Sequence, residues 1–169
     1  IRDSHGGLIG VIVSLYIFSI KQKISFLALM DSTAVAMPIG LGLVRIGNFL
    51  NGELFGRPTN GEWGFIFPTD PLGIPRHPSQ LYECFLEGII LFFVLNYIAR
   101  QNVAKGVTAS ALLIFYGLFR FIVEFFRQPD MHIGLIAFDL SMGQILSLPM
   151  MIIGLVLVVV FQRNNATIS

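Results

Sequence analysis

Two groups of hydrogen-bonding residues interrupt an otherwise apolar sequence. The first lies in VRIGNFLNGELFGRPTN, residues 44–60, directly after a long apolar run. It brings two arginines, two asparagines and a glutamate close together: Arg45, Asn48, Asn51, Glu53 and Arg57. An interfacial anchor followed by turn residues would account for one or two of these side chains. The complete set is more typical of a site that binds an anion.

The second group lies in FYGLFRFIVEFFRQPD. An α-helix turns about 100° per residue, so Tyr116, Arg120, Glu124 and Arg127 fall within a wedge of about 80°. Arg120 and Glu124 could simply neutralise each other at i,i+4, with Arg127 reaching the interface. That interpretation leaves Tyr116 unexplained, and charged residues in an apolar helix commonly mark a functional cavity.

Four further residues could take part in chemistry. His5, in HGG, has an ordinary pKa of about 6.5 and is a candidate proton acceptor, although a lone histidine is often structural. Arg76 could help hold an anion or anchor the interface. Glu83 and Glu87 share a helix face and could pair with an arginine from another helix. Cys84, between them in sequence, is interpreted as inert packing.

The elements that must position these residues are apolar segments of helical length. A helix needs roughly 20 residues to cross a bilayer, and four of the five segments reach about that length. The segments cover approximately residues 6–20, 25–44, 80–99, 106–126 and 138–161. The proline-rich stretch 45–79 reads as a loop that could hold a short strand at WGFIF. The sequence therefore predicts an all-α, polytopic integral membrane protein, with residues 1–169 as a single membrane domain.

The basic residues predict how these segments are oriented. The three lysines, Lys21, Lys23 and Lys105, fall in two short connections on one side, together with the C-terminal tail. Because cytoplasmic loops are enriched in basic residues, that side is predicted to be cytoplasmic. The loop 45–79 and the stretch RQPDMHIG then face outward. Arginines on the outer side depart from the trend, which favours an anionic ligand there.

Composition excludes several classes of function. The chain is 54% hydrophobic and 12% charged, with a net charge of +1, so a nucleic-acid-binding surface is not expected. A single cysteine excludes an internal disulfide framework, and no HExxH or clustered His/Cys pattern indicates a metal or cofactor. The opening IRDSHGG lacks the basic n-region of a signal peptide, so none is expected.

These patterns predict a cavity that opens to the outer leaflet and is lined by Arg45, Asn48, Glu53, Tyr116, Arg120 and Glu124. Two guanidinium groups suit a phosphate, because they can bind its oxygens in pairs. In a membrane, the corresponding ligand is a phospholipid head group. Residue chemistry alone leaves three alternatives open: an enzyme, a transporter of anions or lipids, and a non-catalytic phospholipid-binding subunit.

The motifs RIGNFLNGELFGR, HGG, RHPSQLYE, YGLFRFIVEFFRQPD and SMGQILSLPM resemble those of the bacterial prolipoprotein diacylglyceryl transferases. The resemblance runs from His5 to about Phe161. It implies an inner-membrane enzyme that moves the diacylglyceryl group of phosphatidylglycerol to the lipobox cysteine of a preprolipoprotein. The expected products are a thioether and glycerol phosphate. Members of the family carry membrane segments ahead of HGG, so this chain is expected to correspond to their C-terminal portion.

The resemblance also implies roles for individual residues. The catalytic candidates are His5, Arg45, Glu53, Tyr116 and Arg120. The candidates for binding phosphatidylglycerol are Arg45, Asn48, Asn51, Arg76, Arg120 and Glu124. Of these, Asn51 and Arg76 are included because of the residue chemistry described above.

Overall fold

The computed structural model describes residues 2–128, 135–137 and 140–168, with side chains described from residue 7 onward apart from residues 8, 135–137, 165, 167 and 168. Six α-helices form most of this part of the chain: α1 (Arg2–Gln22), α2 (Phe26–Leu50), α3 (Ser79–Glu83), α4 (Leu91–Ala99), α5 (Val107–Val123) and α6 (Met142–Ile168). A π-helical segment, Cys84–Ile90, joins α3 to α4 without a break. Two short antiparallel strands, β1 (Leu135–Ala137) and β2 (Leu140–Ser141), precede α6.

The helical, apolar character predicted from the sequence is confirmed. Among the described residues, three helical stretches are long and apolar enough to cross a membrane: Phe26–Leu50, Ser79–Ala99 and Met142–Asn164. Ile9–Gln22 and Val107–Val123 are shorter apolar helices, so the total of five spans stays a prediction. Large apolar side chains such as Leu43, Phe93 and Val156 are more than half exposed, as expected where the surrounding solvent is lipid.

Helix α2 extends further than the sequence indicated. It continues to Leu50, so Arg45 and Asn48 lie on a helix and the loop begins at Asn51 rather than at residue 45. The chain turns at Gly52, whose φ of +67° suits glycine, and a Cβ there would lie 2.7 Å from the Thr69 hydroxyl oxygen. The Thr69 hydroxyl donates a hydrogen bond to the Gly52 carbonyl.

Other predicted boundaries also shift. WGFIF forms no strand; only Phe65 pairs, as an isolated antiparallel bridge with Arg76. Helix α5 ends at Val123, so Glu124 is its C-terminal cap, and Arg127 forms an isolated antiparallel bridge with Gly56. Helix α6 begins at Met142 rather than near residue 138, which lies outside the described residues together with residues 129–134 of the RQPDMHIG stretch.

Close approaches hold the central helices together. Helix α2 crosses the π-helical segment where Gly42 meets Gly88, and a Cβ added to Gly88 would lie 2.9 Å from the Gly42 Cα. At one end of the same helix, the Asp31 carboxylate accepts hydrogen bonds from the backbone N–H groups of Gly106 (2.7 Å) and Ala109 (2.8 Å). Asp31 therefore caps α5 from a neighbouring helix, where free N–H groups need an acceptor.

Candidate functional site

Six charged side chains meet between α2, the α3–π-helical segment and α5. We call this set the arginine–glutamate cluster; its members are Arg45, Glu83, Glu87, Arg120, Glu124 and Arg127. Three segments that are distant in sequence supply them, so the cluster forms only when these helices pack. Its three guanidinium groups and three carboxylates balance in formal charge.

Glu83 is the centre of the cluster. Its Oε2 lies 2.5 Å from Arg45 Nε and 3.4 Å from Arg120 Nη1. Its other oxygen, Oε1, lies 3.3 Å from Arg127 Nη1. The Glu83 side chain is only 1% exposed. The buried Glu83 carboxylate thus contacts three arginines, two through Oε2 and one through Oε1.

The other two carboxylates are less central. Glu87 is fully buried, at 3.7 Å from Arg120 Nη1 and 3.9 Å from Arg45 Nη2. Within the described part of the chain, neither Glu87 oxygen receives a hydrogen bond. Glu124 pairs with Arg120 Nη2 at 3.1 Å, which is the i,i+4 contact considered from the sequence. Glu87 therefore has capacity for a hydrogen-bond donor that the cluster itself does not supply.

The backbone at this point departs from the α-helix. Glu83 is the last residue of α3, and Glu87 lies within the π-helical segment Cys84–Ile90. Segments of π-helix are rare and occur frequently at functional sites. Here the distortion coincides with the two glutamates that contact both Arg45 and Arg120.

The sequence-predicted residues Arg45, Arg120 and Glu124 are brought together. The prediction that Glu83 and Glu87 pair with an arginine from another helix is also confirmed. Tyr116, one turn before Arg120 on the same helix, packs against a core of Leu91, Leu95 and Ala111. Tyr116 therefore borders the cluster.

Other predicted residues lie elsewhere. Glu53 is exposed and forms no ion pair with any described arginine, and its catalytic role stays a prediction. Its backbone instead bonds Asn48 O (2.8 Å) and Gln80 Nε2 (2.6 Å). Asn48 is half-buried and Asn51 is exposed. His5 lies on α1, but its side chain is outside the described set.

Arg76 belongs to a separate buried pair in the loop. Its guanidinium donates hydrogen bonds to Asp70 at 2.6 and 3.1 Å and lies 4.7 Å from the centre of the Phe55 ring. These hydrogen bonds hold the pKa of Asp70 below its ordinary value. Arg57, from the first motif, donates from Nε to the Arg127 carbonyl at 3.0 Å. These contacts attach the loop to the chain beside the cluster.

Two apolar grooves flank the helix that carries Glu83 and Glu87. One, of about 370 Å³, lies towards α5 and is lined by Tyr82, Phe85, Leu86, Ile122, Val123 and Phe126. The other, of about 280 Å³, lies towards α2 and includes Pro38, Gly42, Cys84, Gly88 and Phe92. A charged cluster beside apolar grooves is complementary to a molecule with an ionic head and hydrocarbon chains. In the described ranges no three His, Cys, Asp or Glu side chains are arranged to hold a metal ion.

Comparison with known proteins agrees with this chemistry. Residues 3–160 match the family model described as prolipoprotein diacylglyceryl transferase. The chain belongs to this family. Family members named phosphatidylglycerol–prolipoprotein diacylglyceryl transferase include one from Geobacter sulfurreducens, 52% identical over 161 residues, and one from Mannheimia succiniciproducens, 50% identical over 166 residues. A third, from Aeromonas hydrophila, is 53% identical over 154 residues.

These matches cover the chain more fully than they cover the relatives. They include 95%, 98% and 91% of this chain, respectively, and 62%, 62% and 56% of the three relatives. The chain therefore spans about three fifths of the length of the curated relatives it matches.

Proposed function

We propose that this chain takes part in the transfer of a diacylglyceryl group from phosphatidylglycerol to the lipobox cysteine of a preprolipoprotein. The observation that carries the proposal is the convergence of Arg45, Arg120 and Arg127 on one buried carboxylate, between two apolar grooves. The names of the relatives supply the two substrates. The grooves suit the acyl chains and the guanidinium groups suit the phosphate.

At the glyceryl carbon, the reaction breaks the C–O bond and forms a C–S bond. The cysteine sulfur attacks the glyceryl carbon that bears the phosphate, the C–O bond breaks, and glycerol phosphate leaves with the electron pair. The thiol proton passes to a base. As the C–O bond breaks, negative charge grows on the leaving phosphate oxygen. Donors already fixed at that position stabilise the transition state more than the bound substrate.

Arg45 and Arg120 are the proposed phosphate ligands. When the head group enters, its oxygens compete with the carboxylates of Glu83 and Glu124 for these guanidinium groups, and the carboxylates keep the guanidinium groups in position between turnovers. Asn48, three residues after Arg45 on α2, and Tyr116, four residues before Arg120 on α5, would orient head-group oxygens. His5 is the proposed proton acceptor. A scheme in which the positive field of the arginines alone favours the thiolate uses the same residues.

The proposed setting is the bacterial inner membrane. Five helical segments would cross it, placing the loop Asn51–Pro78 and the cluster towards the periplasm and the C-terminus in the cytoplasm. The two lysine-containing connections on the opposite side support this orientation.

Mass spectrometry of a lipobox peptide incubated with phosphatidylglycerol vesicles tests the function directly. The chain is assayed alone and also as a chimera, in which it replaces the matched 161 residues of the Geobacter sulfurreducens relative. We expect the peptide to gain the mass of a diacylglyceryl group, and Arg120→Ala to abolish the gain in the same background.

The controls separate the alternative functions. A chimera that inserts and folds but never modifies the peptide would overturn the proposal. Flux of glycerol phosphate across the vesicle would then favour the transporter. Retention of phosphatidylglycerol without its consumption would favour the binding subunit.

A further inference from the structure

The loop Asn51–Pro78 exposes apolar side chains that a loop in water would bury. The exposed fraction is 82% for Trp63, 67% for Leu72, 57% for Ile66 and 45% for Leu54. We call these four residues the apolar rim. Exposed apolar patches commonly mark interaction sites.

The loop packs at the depth where α2 ends. Phe49, in the last turn of α2, contacts Phe65 and Phe67 with ring centres 5.3 and 5.8 Å apart. Helix α2 has 25 residues and is therefore about 37 Å long, whereas the hydrocarbon core of a bilayer is about 30 Å thick. When α2 spans the bilayer, its last turn and the attached loop lie at the level of the lipid head groups.

The loop also turns its polar ion pair inward. Asp70 and Arg76 are both buried and bond each other, and Phe67 is 1% exposed. The exposed carboxylates of Glu53 and Glu62 stand beside the rim, so the loop surface is amphipathic and suits the head-group layer better than the hydrocarbon core. Leu50, at the end of α2, is 76% exposed.

We propose that the apolar rim inserts into the head-group layer of the leaflet beside the cluster. Tryptophan is enriched at this depth, because its ring is apolar and its N–H finds polar partners there. The proposal does not depend on the proposed reaction. Its consequence for the site follows from two hydrogen bonds: Arg57 N–H to Phe126 O (2.9 Å) and Arg57 Nε to Arg127 O (3.0 Å). Insertion of the loop thereby fixes the depth of the arginines relative to the lipid phosphates.

Trp63 is the only tryptophan of the chain, so its fluorescence tests this contact directly. The chain is reconstituted in vesicles that contain lipids brominated either near the head group or near the chain end. We expect head-group-proximal bromine to quench the Trp63 emission more strongly than chain-end bromine does, and iodide in the buffer to quench little. The matched control is Trp63→Phe with Phe93→Trp, a position 65% exposed within the span Ser79–Ala99. Its emission should be quenched more strongly by chain-end bromine.

The unmodified chain and the Trp63→Phe, Phe93→Trp control are also measured within the Geobacter sulfurreducens chimera, whose other tryptophans are replaced by phenylalanine. The result then does not require the short chain to fold by itself. Strong quenching of Trp63 by iodide and none by either lipid, while the Phe93→Trp control responds to chain-end bromine, would overturn the proposal. Protection of Trp63 from iodide and from both lipids would also overturn it, and would indicate burial against protein.

Discussion

Glu83 is the residue on which the geometry of the cluster depends most. It contacts three guanidinium groups, whereas Glu87, four positions later and equally buried, contacts two at longer range. The two residues thus form a matched pair on one helix. Replacing each glutamate by glutamine tests whether the positions of the arginines depend on the Glu83 carboxylate in particular or only on the net charge of the cluster.

We expect Glu83→Gln to lower kcat/KM for lipobox-peptide modification about 10- to 100-fold, as is typical when the support of a ligand-binding side chain is removed. Glu87→Gln should cost clearly less, because its contacts with Arg45 and Arg120 are 3.7 Å or longer. Initial rates over a range of phosphatidylglycerol fractions measure both variants. Helical content by circular dichroism controls for misfolding. Equal losses in the two variants would contradict the central role of Glu83.

Substitution of Arg45 tests whether phosphate binding requires the planar guanidinium group or only a positive charge. Arg45→Lys keeps the charge but removes the planar fork that meets two phosphate oxygens. We expect its rate to approach that of Arg45→Ala, with both at least about 100-fold below the unmodified chain. The same peptide assay measures this. Near-normal turnover in Arg45→Lys would mean that a point charge is sufficient.

The ion pair between Asp70 and Arg76 should make the stability of the loop depend on pH. Its native pKa is lowered by hydrogen bonds from Arg76, so the ionised form is favoured by folding. The resulting stabilisation is complete above the unfolded pKa of about 3.9 and is lost as pH falls through the lower native value. The difference in thermal midpoint between the unmodified chain and Asp70→Asn should therefore be constant near neutrality and shrink below about pH 4. A difference that is unchanged down to the native pKa would contradict this sign.

At the scale of elements, Asp31 links two helices through its carboxylate. The sequence offered no role for this residue, because its partners, the N–H groups of Gly106 and Ala109, are far away in the chain. We expect Asp31→Ala to destabilise the protein by about 1–2 kcal/mol, the usual cost of losing an N-terminal cap. The control is Ser32→Ala, since Ser32 is exposed and bonds only within its own helix. Thermal unfolding of both variants in detergent measures the difference; equal midpoints would show that the cap contributes nothing.

Element positions were predictable from apolar run length, but three details were not. Helix α2 continues past Arg45 to Leu50, because the Arg45 guanidinium finds its partner, Glu83, on another helix. The π-helical distortion at Cys84–Ile90 has no signature in a run of apolar residues. The polar motif around Glu53 likewise does not indicate that its side chain is exposed after the turn at Gly52.

At the scale of the whole molecule, the two predicted sides of the membrane can be distinguished by labelling. In a Cys84→Ala background, Asn60→Cys and Asn102→Cys each introduce one exposed thiol, on the loop after α2 and on the connection before α5. A membrane-impermeant maleimide should label Asn60→Cys in intact spheroplasts, and Asn102→Cys only after permeabilisation. The reverse pattern would invert the orientation predicted from the lysines.

The balanced charges of the cluster have a consequence for how the protein is assembled. Arg45, Glu83 and Arg120 arrive in the membrane on different segments, and an unpaired charge on a membrane-spanning helix carries an insertion penalty. The charges of the cluster are not fully paired within any one helix. Glu83, for example, pairs with three arginines that all lie on other segments of the chain. The segments must therefore be inserted before their charges can pair. The arginines that would bind the head group would then also favour correct assembly, because their insertion penalty is removed only when the helices associate so that the charges pair.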